Sequence, residues 1–347
     1  MKNRLVLQEF LVLMVNKIQI QKVFSKWNAA KWAKREIDGM IGWFRKIHWR
    51  VAFVWGLLFA IMSSPVVLAD KKLPPETAYL NDVETNMADV KSLHYDVVIK
   101  AETPMGEVKI TINGEGRVKP LNDSHDIQIW YRDTKNKKST ALLKQYIEES
   151  QGNLVCYSLI NEKWVKQIVP VNPSLSKELS KGERDSAEID RLQLLKTVKL
   201  KKETPAYKYM EITLDSMKMS DAIGAIIKQN PMQEPDTLRA VAAARLALLA
   251  AGDIDYTVKI DKAAMMIKSV EMDLTEPFQK GAGLLLDMAN PKEKAQMEAF
   301  LAKSTLHISV TYSKYNQIDP IVIPQDVRDN AVEFKLAAKE PSKKELL

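Results

Sequence analysis

The chain has 347 residues, a formal net charge of +7 and a single cysteine. The basic excess does not describe a nucleic-acid binder, because residues 1–50 hold eleven Lys/Arg against three Asp/Glu and the chain from Asp70 onward balances at −1. One cysteine, Cys156, excludes an internal disulfide, and five of the seven tryptophans lie before residue 56.

The first element is an uncharged run from Val51 to Ala69. Its most apolar part, Val51 to Met62, falls short of the roughly 20 residues that cross a hydrocarbon core. Arg45, Lys46, His48 and Arg50 precede it, and Ser63, Ser64 and Pro65 break it before Val67-Leu68-Ala69. A basic flank, a short apolar stretch and small residues at the cut site read as a signal peptide over 40–69, cleaved between Ala69 and Asp70. An uncleaved anchor is the alternative, since the whole run can span if tilted. Residues 1–39 read as a start site placed too far upstream, or as a basic amphipathic extension. No cysteine follows the apolar stretch, so no lipid anchor is expected there. Cleavage leaves 278 residues (347 − 69), placed in the periplasm or on the outer side of the cytoplasmic membrane, with membrane contact only through the signal segment.

In the remainder, Leu80, Val83, Met87 and Val90 fall at helical spacing over 76–92. The period then drops to two. Leu93, Tyr95, Val97 and Ile99 form one side of a strand, and Val108, Ile110 and Ile112 one side of the next, with Pro-Met-Gly at 104–106 between them. Ile127, Ile129 and Tyr131 continue the pattern. Three more strands are expected in "TALLKQYIEE", "NLVCYSLI" and "KWVKQIV". "KGERDSAEIDRLQ" reads as a solvated face or loop. After the strand "YKYMEITLD" come helices at 217–228 and 235–251, the second opening on Pro235 and stopping at Gly252. A hairpin follows, with Ile254, Tyr256, Val258 and Ile260 opposite Met266, Val270, Met272 and Leu274. A helical segment at 281–301, interrupted near "NPKEK", leads to a strand through Leu306, Ile308, Val310 and Tyr312. "IDPIVIPQDV" closes the fold, and 339–347 reads as a polar tail.

These periods predict an α+β protein: a strongly curved antiparallel sheet, a half-barrel of roughly nine to eleven strands by pattern, with helices covering its concave face. The order helix, meander, "YTVKIDKAAMMIKSVEMDL" and closing "VTYSKYNQIDPIVIP" resembles secreted bacterial proteins of the LolA/LppX lipoprotein-carrier class. The resemblance implies a half-barrel domain over 70–338 enclosing an apolar cavity for acyl chains. The partner it implies is a lipid or lipoprotein, and no residue-by-residue transfer of ligand contacts is made.

No residue pattern carries catalysis. His94, His125 and His307 lie on separate strands without metal-site spacing, and read as exposed strand histidines. "GEG" at 114–116 reads as a turn, not a phosphate loop. Asp253-x-Asp255 lacks the further oxygens of a calcium loop. No nucleophile elbow occurs. The protein is therefore expected to be no enzyme and to need no cofactor. Methionines crowd the second half, a composition that suits either core filling or a surface that repacks around variable ligands. The expected cavity lining is Ile223, Ile227, Leu246, Leu249, Leu285, Met288 and Phe300 from helices, with Tyr256, Val258, Met272, Ile308 and Val310 from strands. The function expected is binding of an acyl chain, lipid or lipoprotein in the cell envelope. The alternative is an envelope interaction or sensor module of the same fold with its cavity filled.

Overall fold

The computed structural model describes residues 73–118, 121–151, 153–160, 162–170, 194–229, 235–286 and 291–333. The expectations for 1–39, the signal segment 40–69 with its Ala69–Asp70 cut, the charged stretch 181–193 and the tail 339–347 lie outside them.

Helix α1 (Pro75–Ala88) comes first, and turns Leu80, Val83 and Glu84 inward. Six strands follow as a meander: β1 (Ser92–Thr103), β2 (Gly106–Val118), β3 (Leu121–Asp133), β4 (Lys138–Ser150), β5 (Asn153–Ile160) and β6 (Lys163–Pro170). The chain resumes with β7 (Leu195–Glu203) and β8 (Tyr207–Leu214), then α2 (Ser216–Gln229) and α3 (Pro235–Ala251). The hairpin β9 (Ile254–Asp261) and β10 (Met266–Asp273) leads to α4 (Thr275–Leu286) and α5 (Pro291–Leu301). Strand β11 (Thr305–Ser313), the six-residue α6 (Gln325–Asn330) and β12 (Val332–Glu333) end the described chain.

The strands form one twelve-stranded sheet in the order β12-β6-β5-β4-β3-β2-β1-β11-β10-β9-β8-β7. All neighbours are antiparallel except β12 on β6. Two meanders thus meet at the β1–β11 pair. Strands β6 and β7 are consecutive in the chain yet ten strand spacings apart, about 48 Å if the sheet were flat. A sheet of this width twists and curls, and its helices line the concave face. The twelfth strand, two residues long, is the only one beyond the expected range.

Local chemistry explains the element ends. Asp215 caps α2, its Oδ1 accepting the amides of Met217 (3.0 Å) and Lys218 (3.1 Å). Gly252 stops α3 in the left-handed region at φ 77°. Gly106 closes the β1–β2 hairpin at φ 142°, where a Cβ would stand 2.2 Å from the Arg132 carbonyl oxygen. One expectation needs correction: "GEG" is no turn, since Gly114 and Gly116 lie inside β2, opposite Tyr95 and Leu93. The helical segment expected to break near "NPKEK" is α4 and α5, with α4 starting earlier than expected, at Thr275, where the Phe278 amide bonds the Leu274 carbonyl at 2.8 Å. "IDPIVIPQDV" is an extended stretch and the start of α6.

Candidate functional site

Pairing register sets the concave face row by row. Ile212, Tyr256, Met272, Ile308, Ile99, Ile110 and Ile129 make one cross-strand row. Met210, Val258, Val270, Val310, Val97, Ile112, Ile127 and Leu143 make the next. The face is apolar from β8 to β4, but its cover changes along it. Over β7–β10, Leu80 and Val83 of α1, Met219 and Ile223 of α2, and Leu248 of α3 join Met210, Ile212, Tyr256 and Val258 in one buried cluster. Over β2–β6 no helix packs extensively among the described residues. There Ile99, Ile110, Ile129 and Leu143 are only half-buried, beside the buried Val97, Ile112 and Ile127. This half-open stripe is the candidate ligand face.

Deeper on the same face runs a polar row. The Tyr95 hydroxyl donates to Asp123 Oδ2 at 2.9 Å, and His125 Nδ1–H to Asp123 Oδ1 at 2.5 Å. His125 Nε2 lies 2.8 Å from Gln145 Oε1, and Gln145 Nε2 donates to Ser158 Oγ at 2.8 Å. All five side chains are buried. Gly114 makes the row possible, since a Cβ there would meet the Tyr95 ring at 2.4 Å and His125 Cβ at 2.8 Å. The expectation of exposed strand histidines therefore fails for His125, which is 4 % exposed. Asp123 and His125 are in phase with Ile127 and Ile129, so strict alternation already put them inside. His94 stays half-buried on the convex side with Asp96, and His307, half exposed, lies 3.4 Å from Asp273. Beside the row, burial, and secondarily the charge of Asp123, pushes the Cys156 thiol up to about 12.

The expected lining divides. Ile223, Tyr256, Val258, Met272 and Val310 are buried, while Ile308 and Phe300 are half-buried. Ile223, Tyr256, Val258 and Met272 lie in the helix-covered cluster and Val310 in the cluster over β1–β5, with Ile308 packed against both. Ile227 and Leu285 lie on α2 and α4, but their side chains, and Met288 altogether, fall outside the described residues. Leu246 and Leu249 contradict the expectation, being 53 % and 42 % exposed. Helix α3 turns Ala243, Ala247, Leu248 and Ala251 inward instead. The reason is the close approach of α4: a Cβ on Gly281 would stand 2.8 Å from the Ala247 carbonyl oxygen. Only small residues fit that seam, so the leucines on either side of it point outward.

Asp253 and Asp255 have structural duties. Asp253 accepts from Lys196 Nζ (2.6 Å) and the Ser216 amide (3.2 Å), and the Lys196 hydrogen bond holds its carboxyl below the usual range. Asp255 accepts from the Thr213 hydroxyl at 2.6 Å. On the convex face, the segment after β11 forms a strap. Arg117 and Asn122 donate to the carbonyls of Ile318 and Ile321, and Ile323, Val327 and Ala331 pack on Tyr146, Val155 and Tyr157. Among the described residues no helix is long and apolar enough to cross a membrane.

The fold and this face define an α+β protein built on a wide curved sheet with one apolar side. The chain belongs to the family described as a family of unknown function, DUF6612, whose model matches residues 77–332. No curated protein matches it. Among solved structures it is similar to the Mycobacterium tuberculosis lipoprotein LppX, with 11% identity and a TM-score of 0.33, over 72% of this chain and 99% of that one.

Proposed function

We propose that this is a non-catalytic cell-envelope protein that shelters an acyl chain, of a lipid or of a lipid-modified protein, on the concave face of its sheet. The observation that carries the reading is the stripe of Ile99, Ile110, Ile129 and Leu143, apolar yet half-open, without a described helix over it. Each methylene that such a face takes from water contributes about 0.8 kcal/mol, so a chain of ordinary length outweighs the entropy of ordering it. Export rests on the signal-like segment ending at Ala69. Native mass spectrometry and solvent extraction of protein recovered from its own envelope test the reading. Co-purifying acyl lipid that disappears in an Ile110→Glu, Ile129→Glu double variant supports it, and a folded wild-type protein without lipid ends it.

A second reading, an interaction module with a filled concavity, is favoured by the buried row Tyr95–Asp123–His125–Gln145–Ser158, which occupies the face beside the stripe. Capture of an envelope protein by lipid-free protein separates it from the first.

A further inference from the structure

Strands β3 and β4 are 13 residues long, whereas β5 and β6 are 8. The pairing follows these lengths. β4 meets β3 from Lys138 to Glu148, but it meets β5 only from Lys144 to Ser150. Residues 138–143 therefore have a strand on one side alone among the described residues. In an antiparallel strand every second residue turns its N–H and C=O away from a given neighbour. Alternate residues of this stretch thus face an open strand position in line with β5. The β5–β6 turn, at Glu162, closes that position at one end, and the other end is open beside the β3–β4 turn.

The stretch is apolar on both faces near its centre. Leu142 lies on the convex side and is 75 % exposed. Ala141 and Leu143 are half-buried on the concave side, in the rows of Ile129 and Ile127. No charge stands between Lys138 and Lys144. The two outer edges of the sheet are guarded. β7 carries four lysines and two register shifts, while β6 carries β12 and ends at Pro170. Residues 139–143 hold no proline, register shift or inward charge, the devices that keep an edge from pairing.

Charge and shape select the occupant. Lys137, Lys138, Lys144 and Lys163 are exposed around the open position, and none has a carboxylate partner among the described residues. Asp133, in the β3–β4 turn, is taken up by the amides of Lys135 and Lys137, both at 2.8 Å. Glu162 in the other turn and Asp126, across from Lys144 on β3, are the acids nearby. A second copy does not fit. The same edge of its β4 carries its own β5 from Lys144 onward, and that hairpin would run into the first copy's β4 or its turn in either strand direction.

We propose that the open half of β4 is a strand-addition site for an extended, acidic segment of another protein chain. Main-chain hydrogen bonds to alternate residues of 138–143 hold the segment, and its acids meet the lysines on the convex side. Its other side chains extend the apolar rows of Ala141 and Leu143 by one strand. The site goes beyond the acyl-chain reading and does not depend on what the stripe holds.

The probe is a fluorophore-bearing synthetic peptide of alternating valine and glutamate, titrated with the full chain and read by anisotropy. Saturable binding is expected, with the outward amides of 139–143 exchanging about tenfold more slowly or better in the complex. A bound strand has one paired and one free edge. N-methylation of the valines in one peptide, and of the glutamates in another, should therefore weaken binding about tenfold or more in one of the two and hardly at all in the other. A valine–lysine peptide should bind about tenfold more weakly, and Lys138→Glu with Lys144→Glu should reverse that order. Absence of saturable binding overturns the proposal, and so does equal binding of both N-methylated peptides, because the contact is then not strand pairing. Slowing confined to the β6 or β7 edge overturns it as well. Outward amides of 139–143 that are already slow in the dilute free chain would show the edge covered, and slowing on concentrating the chain alone would assign it to a second copy; either result ends the proposal.

Discussion

The two halves of the sheet bury the same kind of face in opposite ways. From β7 to β10 the concave side is covered by α1, α2 and α3, and the convex side is open and polar. From β1 to β5 the concave side instead holds a buried polar row and a half-open apolar stripe, and over β4 to β6 the convex side is covered by the strap and α6. The first arrangement is an ordinary two-layer core. The second leaves apolar surface where a helix would otherwise lie, and spends buried polar groups on holding the strands in register. Stability and ligand capacity are thus expected to sit in different halves.

The largest test of that division is the removal of core volume from the helix-covered half. Ile212→Ala, at a fully buried site, is expected to cost about 2–5 kcal/mol by urea denaturation. Ile110→Ala in the stripe is expected to cost about 1 kcal/mol or less, because its site is already half-open. Equal losses would mean that the stripe is core, and would dissolve the comparison. Next comes Gly114→Ala, whose Cβ would collide with Tyr95. It is expected to cost about 1–3 kcal/mol and to change the near-ultraviolet circular dichroism of tyrosine. Asp123→Asn, which leaves the Tyr95 hydroxyl and the His125 ring without their carboxylate, is expected to cost about 1–3 kcal/mol.

A smaller effect is expected in alkali. The Cys156 thiol, ordinarily near 9.0, titrates near 12 in the fold because burial disfavours the thiolate. The folded state holds the proton after the unfolded chain has released it. Stability from this group is therefore complete below about pH 9 and declines as pH rises towards 12. The alkaline slope of the urea midpoint should be shallower in Cys156→Ala than in the wild type, with native-state alkylation at pH 8 slow in the latter.

Much of this was legible in the residues. Alternation at Tyr95/Val97/Ile99, Ile110/Ile112 and Tyr256/Val258/Ile260 placed the strands and their inner sides, because a period of two has one geometric meaning. What alternation cannot tell is the company a residue keeps. Leu246 and Leu249 were expected inside because they are large and apolar; their position was decided by the α3–α4 seam, which Gly281 and Ala247 make too narrow for leucine. The row around His125 was missed for a related reason. Its phase was readable, but a partner for a buried imidazole comes from Asp123 and Gln145 across strand register, which pattern alone does not fix. Gly114 was the available clue: a glycine inside a strand marks the close approach of another group.

The smallest expected effect probes the strap, where the second half differs most from the first. Arg328 Nη2 reaches Glu148 Oε2 at 2.7 Å, and the Tyr157 hydroxyl donates to Oε1 of the same carboxylate at 3.1 Å. Glu148 is mostly covered and Arg328 open to water. An ion pair with one exposed partner contributes about 0–1 kcal/mol, so Arg328→Ala should hardly move the global unfolding midpoint. The strap is anchored separately by carbonyl bonds at Ile318 and Ile321 and by Ile323 and Val327 beneath it. Its terminal part, α6 and the two-residue β12, is held by this pair, by Val327 and Ala331 packed on Tyr146, Val155 and Tyr157, and by two register positions on β6. Arg328→Ala should therefore raise local opening alone, seen as faster amide hydrogen exchange over 325–333 with no change in β8 or β9. Exchange that quickens equally in both halves would show that the strap is part of one cooperative core, and that the two faces are not independent.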